Sequence, residues 1–340
     1  MNGAQSLFKA LTDAGLDTCF ANPGTSEMQL VYEMGRSDEV RPVLCLQENV
    51  VTGAADGYAR MAGKPAFTLL HVGSGFANGI ANLHNAGRAN TPVVNVVGAN
   101  ATYHQPNFPE HELIGGKITD LARSVSHWTR EAKSASELAM LGAEAARTAM
   151  MGSGRICTLI APTTCHWDPA PGAPLIDTAV TTPRVSSDTV AAVVERLAGG
   201  RRTGILLGAH ALHAEGLELA GKIAATTGAT LLGETFPARM ARGEGAVSVQ
   251  LVPYFLEMAQ QFFAQFEQII LVGALPPVST FAYQGSPTSK VPTGCEVFTF
   301  ASPDHDVVAA LGDLVSALDA GGAAVSRNQR VEPAVPEGDL

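Results

Sequence analysis

The chain has 340 residues, of which 46% are hydrophobic and only 16% charged, with a net charge of −10 and a mean hydropathy of +0.13. This composition can fill large cores and excludes a disordered polyelectrolyte. An acidic balance without a Lys/Arg cluster excludes nucleic acid and an anionic membrane surface as partners, and the length allows two domains of roughly 100–200 residues each.

The opening segment MNGAQSLFKALTDAGLD lacks the basic start, apolar core and cleavage site of a secretory signal. No segment approaches the ~18 uninterrupted apolar residues of a membrane span. The cysteines Cys19, Cys45, Cys157, Cys165 and Cys295 are odd in number and form no CxxC. Free thiols in apolar surroundings fit a reducing, cytoplasmic setting with no disulfide framework.

In chain order, an amphipathic helix bearing Leu7, Leu11 and Leu16 leads into the strand DTCFA and the turn Asn22-Pro23-Gly24. The strand VRPVLCLQ, a helix over about Val50–Met61 and the strand AFTLLH follow. A Gly-rich turn opens a helix over Ala77–Gly87, then come the strand TPVVNVVG, an Ala-rich helix over Ala135–Met150 and the strand ICTLIAP. Short apolar strands separated by helices imply a parallel sheet covered on both faces.

The segment TCHWDPAPGAPLIDTAVTTPRVSSD has little periodicity and reads as an interdomain linker. Alternation then resumes with a helix over Asp188–Leu197, the strand TGILLG, a helix over Leu212–Ala225 and the strand ATLLG. A helix LVPYFLEMAQQFFAQF precedes the strands QIILVGA and EVFTF, and a last helix covers Asp306–Leu318. The expected architecture is α/β, with two successive open parallel-sheet domains. The first spans 1–170, a linker 171–185, and a Rossmann-like central domain 186–320. The tail 321–340 is polar and Gly/Pro-punctuated, like a linker to a further domain.

Glu48 stands between the apolar run VLCLQ and a helix. Partial desolvation there raises a carboxylate's pKa and suits it to sharing a proton, although an acidic helix N-terminus is an equally ordinary feature. The first strand ends in Asn22-Pro23-Gly24-Thr25-Ser26-Glu27, and the third in His71-Val72-Gly73-Ser74-Gly75-Phe76-Ala77-Asn78-Gly79. Together with Glu48 these mark the carboxyl ends of three parallel strands, where open α/β sheets place ligands. The glycines admit a flat ring, and Asn22, Thr25, Ser74 and Asn78 offer hydrogen-bonding groups.

The set NPGTSEM, LQENVVTGAADGYARMAGKPA and LLHVGSGFANGIANLHNA resembles the pyrimidine-type domain of thiamine diphosphate-dependent 2-oxo acid enzymes. The likeness is to acetolactate synthase large subunits and benzoylformate decarboxylases, specific over about residues 1–170 and weaker through the central domain. It implies that Glu48 hydrogen-bonds N1′ of the aminopyrimidine. The imino tautomer so favoured takes the proton from thiazolium C2, and the resulting carbanion attacks a 2-oxo acid carbonyl. It further implies a cofactor-binding set of Asn22, Pro23, Gly24, Thr25, Glu48, Gly73, Ser74 and Asn78. His71 matches a substrate-facing, proton-handling histidine of the benzoylformate decarboxylase-like relatives, so Glu48 and His71 are the expected catalytic residues. A hydrogen-bonded strand-end histidine is the plain alternative.

The same resemblance implies Mg²⁺ beside the diphosphate, held by a domain with Gly-Asp-Gly followed by Asn-Asn; neither string occurs here. No metal-ligand set is expected in this chain. The expected protein is therefore a portion of such an enzyme, inactive alone and needing a diphosphate-binding domain or chain. It should form a homodimer or homotetramer and act on a small 2-oxo acid, with an unusually apolar surface beside Glu48. The alternative is a non-catalytic dimerising or regulatory relative. The loop Thr102–Ile114, with Tyr103, His104 and Phe108, is a candidate substrate-side segment.

Other patterns carry less. His111-Glu112 meets Gly115 where a zincin has its second histidine. His210 and His213 read as solvated helix residues, Cys165-His166 as linker, and the stripe Phe255, Met258, Phe262, Phe266 as core. LLGAHALHAEG lacks a G-x-G-x-x-G fingerprint, and no pattern supports FAD.

Overall fold

The computed structural model describes residues 1–107, 111, 113–172, 181–332, 334 and 338. Phe108, of the candidate substrate loop, lies outside them. The chain divides into two α/β units, Met1–Thr181 and Thr182–Leu340.

In the first unit the elements are α1 (Gly3–Asp13), β1 (Thr18–Asn22), α2 (Met28–Met34), β2 (Arg41–Leu44), α3 (Glu48–Ala62), β3 (Ala66–Leu70) and α4 (Val72–Arg88). Then follow β4 (Val93–Ala99), α5 (Ile118–Arg123), β5 (Trp128–Glu131), α6 (Ala135–Ala149), β6 (Ile156–Pro162) and α7 (Thr164–Trp167). The strands form one parallel sheet in the order β2-β1-β3-β4-β6-β5. The chain winds outward from β1 to β2 and then crosses back to β3, so the winding reverses between β1 and β3. That reversal opens a crevice at their carboxyl ends, with Asn22 in register with Leu70.

α1 begins where Asn2 closes a capping box with Gln5. Leu7 and Leu11 of that helix and Leu16 beyond it pack in one core with Phe67, Val94 and Leu159. The opposite sheet face packs Leu70, Val97 and Ile160 against Val51, Phe76 and Leu83 of α3 and α4. Buried in that second layer is a polar ladder that hydropathy does not reveal. Thr68 Oγ1 donates to Asn95 Oδ1 at 2.9 Å, and Asn95 Nδ2 donates to Thr158 Oγ1 at 3.1 Å. The parallel register aligns the three residues, so each satisfies its neighbour across β3, β4 and β6.

The aperiodic segment expected as linker begins too early, at Thr164, because its first four residues are α7 of the first unit. Cys165 and His166 are buried in α7, and Gly3 packs so closely on the Cys165 carbonyl that a Cβ would lie 1.9 Å from its oxygen. A short helical turn returning onto α1 carries no amphipathic repeat of its own, so periodicity misses it.

The second unit contains α8 (Ser187–Ala198), β7 (Thr203–Leu207), α9 (Ala214–Thr227), β8 (Thr230–Gly233), β9 (Gln250–Leu251), α10 (Leu256–Phe263), β10 (Gln268–Val272), β11 (Glu296–Ala301) and α11 (Val307–Ala317). Its parallel sheet runs β11-β10-β7-β8-β9. His210 and His213 precede α9 rather than lying in it. The long helix expected from Leu251 is corrected at its start. Leu251 is a strand residue, Pro253 cannot lie inside a helix that must donate its N–H, and the helix is capped at Phe255. Leu256, Ala259 and Phe263 form the buried face, whereas Phe255 and Met258 of the expected core stripe are 51% and 57% exposed.

The tail is corrected as well. Val325 packs on Gly221, Arg327 bridges to Val247, and the Arg327 guanidinium meets the Glu218 carboxylate at 2.9 and 3.1 Å. Residues 325–328 are thus strapped to the second unit rather than left as free linker.

Candidate active site

The crevice of the first unit gathers two carboxyl groups and an imidazole around glycines. β1 ends in Asn22, whose Nδ2 donates to the Cys45 carbonyl at 3.0 Å and ties β1 to the turn after β2. Pro23 and Gly24 carry the chain into a single 3₁₀ turn, Thr25–Glu27, which leaves Thr25 exposed and buries Glu27 completely.

Glu27 Oε2 accepts from the Gly24 amide at 2.7 Å and lies 2.8 Å from His71 Nδ1. Its Oε1 is buried without a hydrogen-bond partner and rests against Gly98 of β4, where a Cβ would come within 1.6 Å. A Cβ on Gly24 would lie 2.4 Å from His71 Nδ1. Two glycines therefore make room for one Glu–His pair.

His71 caps α4 and is followed by Val72, whose φ of 36° is a strained value for a β-branched residue. Such strain costs on the order of 1–3 kcal/mol and needs surrounding structure to hold it. Val72 is fully buried in the core that supplies that support. The Glu27 hydrogen bond raises the His71 pKa; burial opposes this, and the charges of Glu27 and Glu48 add to the increase. With Nδ1 committed to Glu27, Nε2 is the nitrogen left to exchange a proton.

Glu48 is the first residue of α3 and half-buried. Its Oε2 accepts from Asn78 Nδ2 at 2.7 Å. No described residue donates to Oε1, which lies over Gly75. A Cβ on Gly75 would sit 2.9 Å from that oxygen and 3.2 Å from His71 Cβ, so Gly75 is the floor between the two side chains. α3 is fixed to α4 by Thr52 Oγ1 donating to the Gly79 carbonyl at 2.9 Å and Asn82 Nδ2 to the Asn49 carbonyl at 2.7 Å. These bonds set the height of Glu48 above the crevice.

The structure thus brings Glu48 to Asn78, and Gly24 to His71. It places Ser74 in solvent and packs Gly73 on Leu113, where a Cβ would meet that side chain at 2.8 Å. Glu27 and Gly75 are the site residues that sequence reasoning passed over. Their only signal was membership of the strings NPGTSE and HVGSG. Among the described residues no cluster of three or more His, Cys, Asp or Glu could hold a metal ion.

A flat heteroaromatic ring fits this arrangement. Glu48 Oε1 is an acceptor without a donor among the described residues, it lies above a glycine floor, and its carboxyl group is oriented by Asn78. The fold and site together define a parallel α/β domain that presents a carboxyl group and a histidine at its switch-point crevice.

Comparison with known proteins shows what the chain is similar to. Residues 1–121 match the thiamine pyrophosphate enzyme N-terminal TPP binding domain. The full chain is 43% identical over 343 residues to a Mycobacterium tuberculosis protein described as an acetolactate synthase large subunit, IlvX, and spans 64% of that relative's length. Benzoylformate decarboxylase of Pseudomonas aeruginosa is 37% identical over 91 residues, 27% of this chain and 17% of that one. In fold, a thiamine diphosphate-dependent 4-hydroxybenzoylformate decarboxylase of Rhodococcus jostii superposes on 99% of the chain with a TM-score of 0.82 at 20% identity, over 66% of its own length. The chain thus carries a match to the thiamine pyrophosphate-binding N-terminal domain over residues 1–121 and is similar in sequence to proteins named acetolactate synthase large subunit and benzoylformate decarboxylase.

Proposed function

We propose that this chain supplies the pyrimidine-binding part of a thiamine diphosphate-dependent 2-oxo acid decarboxylase or carboligase. It is inactive until joined by a diphosphate- and Mg²⁺-binding domain or chain. The observation that carries this reading is Glu48 Oε1, a carboxyl oxygen oriented by Asn78 over Gly75 and without a donor among the described residues.

When bound, the cofactor supplies a nucleophilic carbon for the 2-oxo acid carbonyl and an electron sink for loss of carbon dioxide. Glu48 holds a proton at the pyrimidine ring nitrogen, and Asn78 keeps its carboxyl group aimed. Gly24 and Gly75 let backbone approach the ring, and the Asn22–Cys45 bond keeps the β1 and β2 loops together at the crevice rim. His71, oriented by Glu27, exchanges a proton with the substrate through Nε2.

Surface chemistry supports the need for a partner. Leu44, Leu46 and Val50, flanking Glu48 in sequence, are 71%, 88% and 54% exposed. Apolar residues grouped beside a site mark a face that another surface covers. The proposed assembly is a homodimer or homotetramer, and the five free cysteines fit a reducing cytoplasm.

The test combines this chain with a separately expressed diphosphate-binding domain, Mg²⁺ and thiamine diphosphate, and reads carbon dioxide release from 2-oxo acids. The expected result is turnover that Glu48→Gln abolishes without changing the fold by circular dichroism. An active Gln variant would refute the role of Glu48. Absence of cofactor binding under every complementation would favour the non-catalytic relative.

A further inference from the structure

The end of α2 that points away from Glu27 borders a cavity that the function above does not use. It has a volume of about 410 Å³ and lies between α1 and the end of α2, with Phe8, Glu33, Arg36 and Ser37 in its walls. That size is in the range of small-molecule sites, which combine an apolar wall with a few placed polar groups. Phe8, buried in the core beneath α1, supplies the apolar wall here.

Two opposite charges line this cavity without being paired. Glu33 is 8% exposed, and its carboxylate accepts from three neutral amides: Asn2 Nδ2 at 2.8 Å, Gln29 Nε2 at 2.9 Å and Gln5 Nε2 at 3.0 Å. A carboxylate offers about four acceptor positions, so one remains, on Oε2. Among the described residues no cation is paired with it. Arg36 stands one turn of chain further on, where its amide donates to the Glu33 carbonyl. Its guanidinium has only Tyr32 beside it, with the hydroxyl at 3.5 Å and the ring centroid at 5.5 Å. Opposite charges three residues apart on a helical turn ordinarily meet. Here the Asn2 and Gln5 amides hold the Glu33 carboxylate toward α1, and it forms no ion pair with Arg36. The other charged residues of the lining, Lys9 and Glu39, are opposite in sign, and Lys9 pairs with Asp13 of its own helix. Ser37 Oγ accepts from the Glu39 amide at 3.2 Å, which leaves its own proton to donate.

We propose that this cavity binds a free α-amino acid with an apolar side chain. The ligand's ammonium meets Glu33, its carboxylate meets the Arg36 guanidinium and the Ser37 hydroxyl, and its side chain lies on Phe8. A simple carboxylic acid would leave the buried Glu33 charge uncompensated, and a simple amine would gain nothing from Arg36. An α-amino acid carries both charges on one carbon, which suits two side chains one turn apart. The site goes beyond the function proposed above and does not rest on it.

Isothermal titration calorimetry on the full chain, without thiamine diphosphate, tests this with L-norleucine, its two half-molecules pentylamine and hexanoate, and glycine. Norleucine should bind about tenfold more tightly than either half-molecule, since each lacks one charged contact. It should bind severalfold more tightly than glycine, which lacks the apolar body. Arg36→Gln, at an exposed position, should reduce norleucine to the affinity of pentylamine. Glu33→Gln should reduce it to that of hexanoate. If Glu33→Gln does not fold, the preference of the unaltered chain for norleucine over hexanoate decides the ammonium contact. Equal binding of norleucine and either half-molecule, or no binding at millimolar concentration, overturns the proposal. So does norleucine binding that Arg36→Gln leaves unchanged, which would put the ligand elsewhere on the chain.

Discussion

His71 Nδ1 lies 2.8 Å from Oε2 of Glu27, a carboxyl group with no exposed surface whose own position depends on the absence of a side chain at Gly98. The imidazole that faces the crevice is thus set from behind by a group 44 residues away in sequence. A buried partner fixes both ring orientation and tautomer, which an exposed one would do weakly.

Glu27→Gln should therefore lower the His71 titration midpoint, which in the native protein lies above its ordinary 6.5 because of the Glu27 hydrogen bond. A folded-state pKa raised above the unfolded value stabilises the protein below the unfolded pKa. That stability is lost as pH rises through the folded pKa. Histidine C–H resonances followed by NMR, with melting temperatures from pH 5 to 9, check both. An unmoved midpoint in the Gln variant would show that the pair does not tune the ring.

Gly98→Ala should displace Glu27, since the new Cβ would come within 1.6 Å of Oε1. Overpacking of this kind costs about 1–3 kcal/mol. The His71 midpoint should fall as it does in Glu27→Gln, whereas a control at Gly57, where a Cβ meets nothing within 4 Å, should leave it alone. Chemical denaturation and the same NMR titration measure the two effects.

His166 gives the opposite pH dependence. It is fully buried, its Nε2 donates to the Ala161 carbonyl at 2.9 Å, and its Nδ1 has no partner. Burial pushes its pKa from 6.5 down to about 4, so the folded protein keeps it neutral where the unfolded chain protonates it. The stability gained from exclusion of that proton is intact above pH 6.5 and drains away as pH falls toward 4, a span worth on the order of 3 kcal/mol. His166→Phe should flatten the acid limb of stability measured by urea unfolding from pH 7 to 4. An unchanged limb would place the acid sensitivity elsewhere.

Asn95→Ala should cost about 1–3 kcal/mol, because it leaves the buried Thr68 and Thr158 hydroxyls short of partners across three strands. Replacing Thr68, Asn95, Thr158 and Ser126, whose hydroxyl lies 2.7 Å from Thr158 Oγ1, together by Val, Leu, Val and Ala should recover much of that loss, since an apolar layer leaves none of these groups unpaired. Melting temperatures of the single and quadruple variants decide it. A single variant no less stable than the native chain would contradict the ladder's role.

The alternation of strands and helices was legible from the chain because the central strands, β3, β4 and β6 in the first sheet and β7 and β10 in the second, are buried on both sides and so are mostly apolar. Glu48 was legible because it interrupts that pattern at a strand-to-helix junction. Glu27 was not. It sits in a turn string whose polar composition fits any loop, and only the packing of Gly24 and Gly98 around it shows that it is buried beside His71. Likewise α7 and the strap at Arg327 have too few residues to show a period. Their positions come from contacts with distant segments.

By itself, then, the sequence determined the two successive sets of parallel strands, the placing of the site at the carboxyl ends of three of them, and the carboxyl group there, since those depend on patterns within short windows. The strand order that reverses the winding between β1 and β3 rests instead on long-range pairing. The tertiary structure decided which groups face one another there. It paired Glu27 with His71, set Gly75 under Glu48, and turned Phe255 outward instead of into the core. Those outcomes depend on where backbone from separate strands comes close enough to exclude a Cβ, a distance that no local pattern encodes.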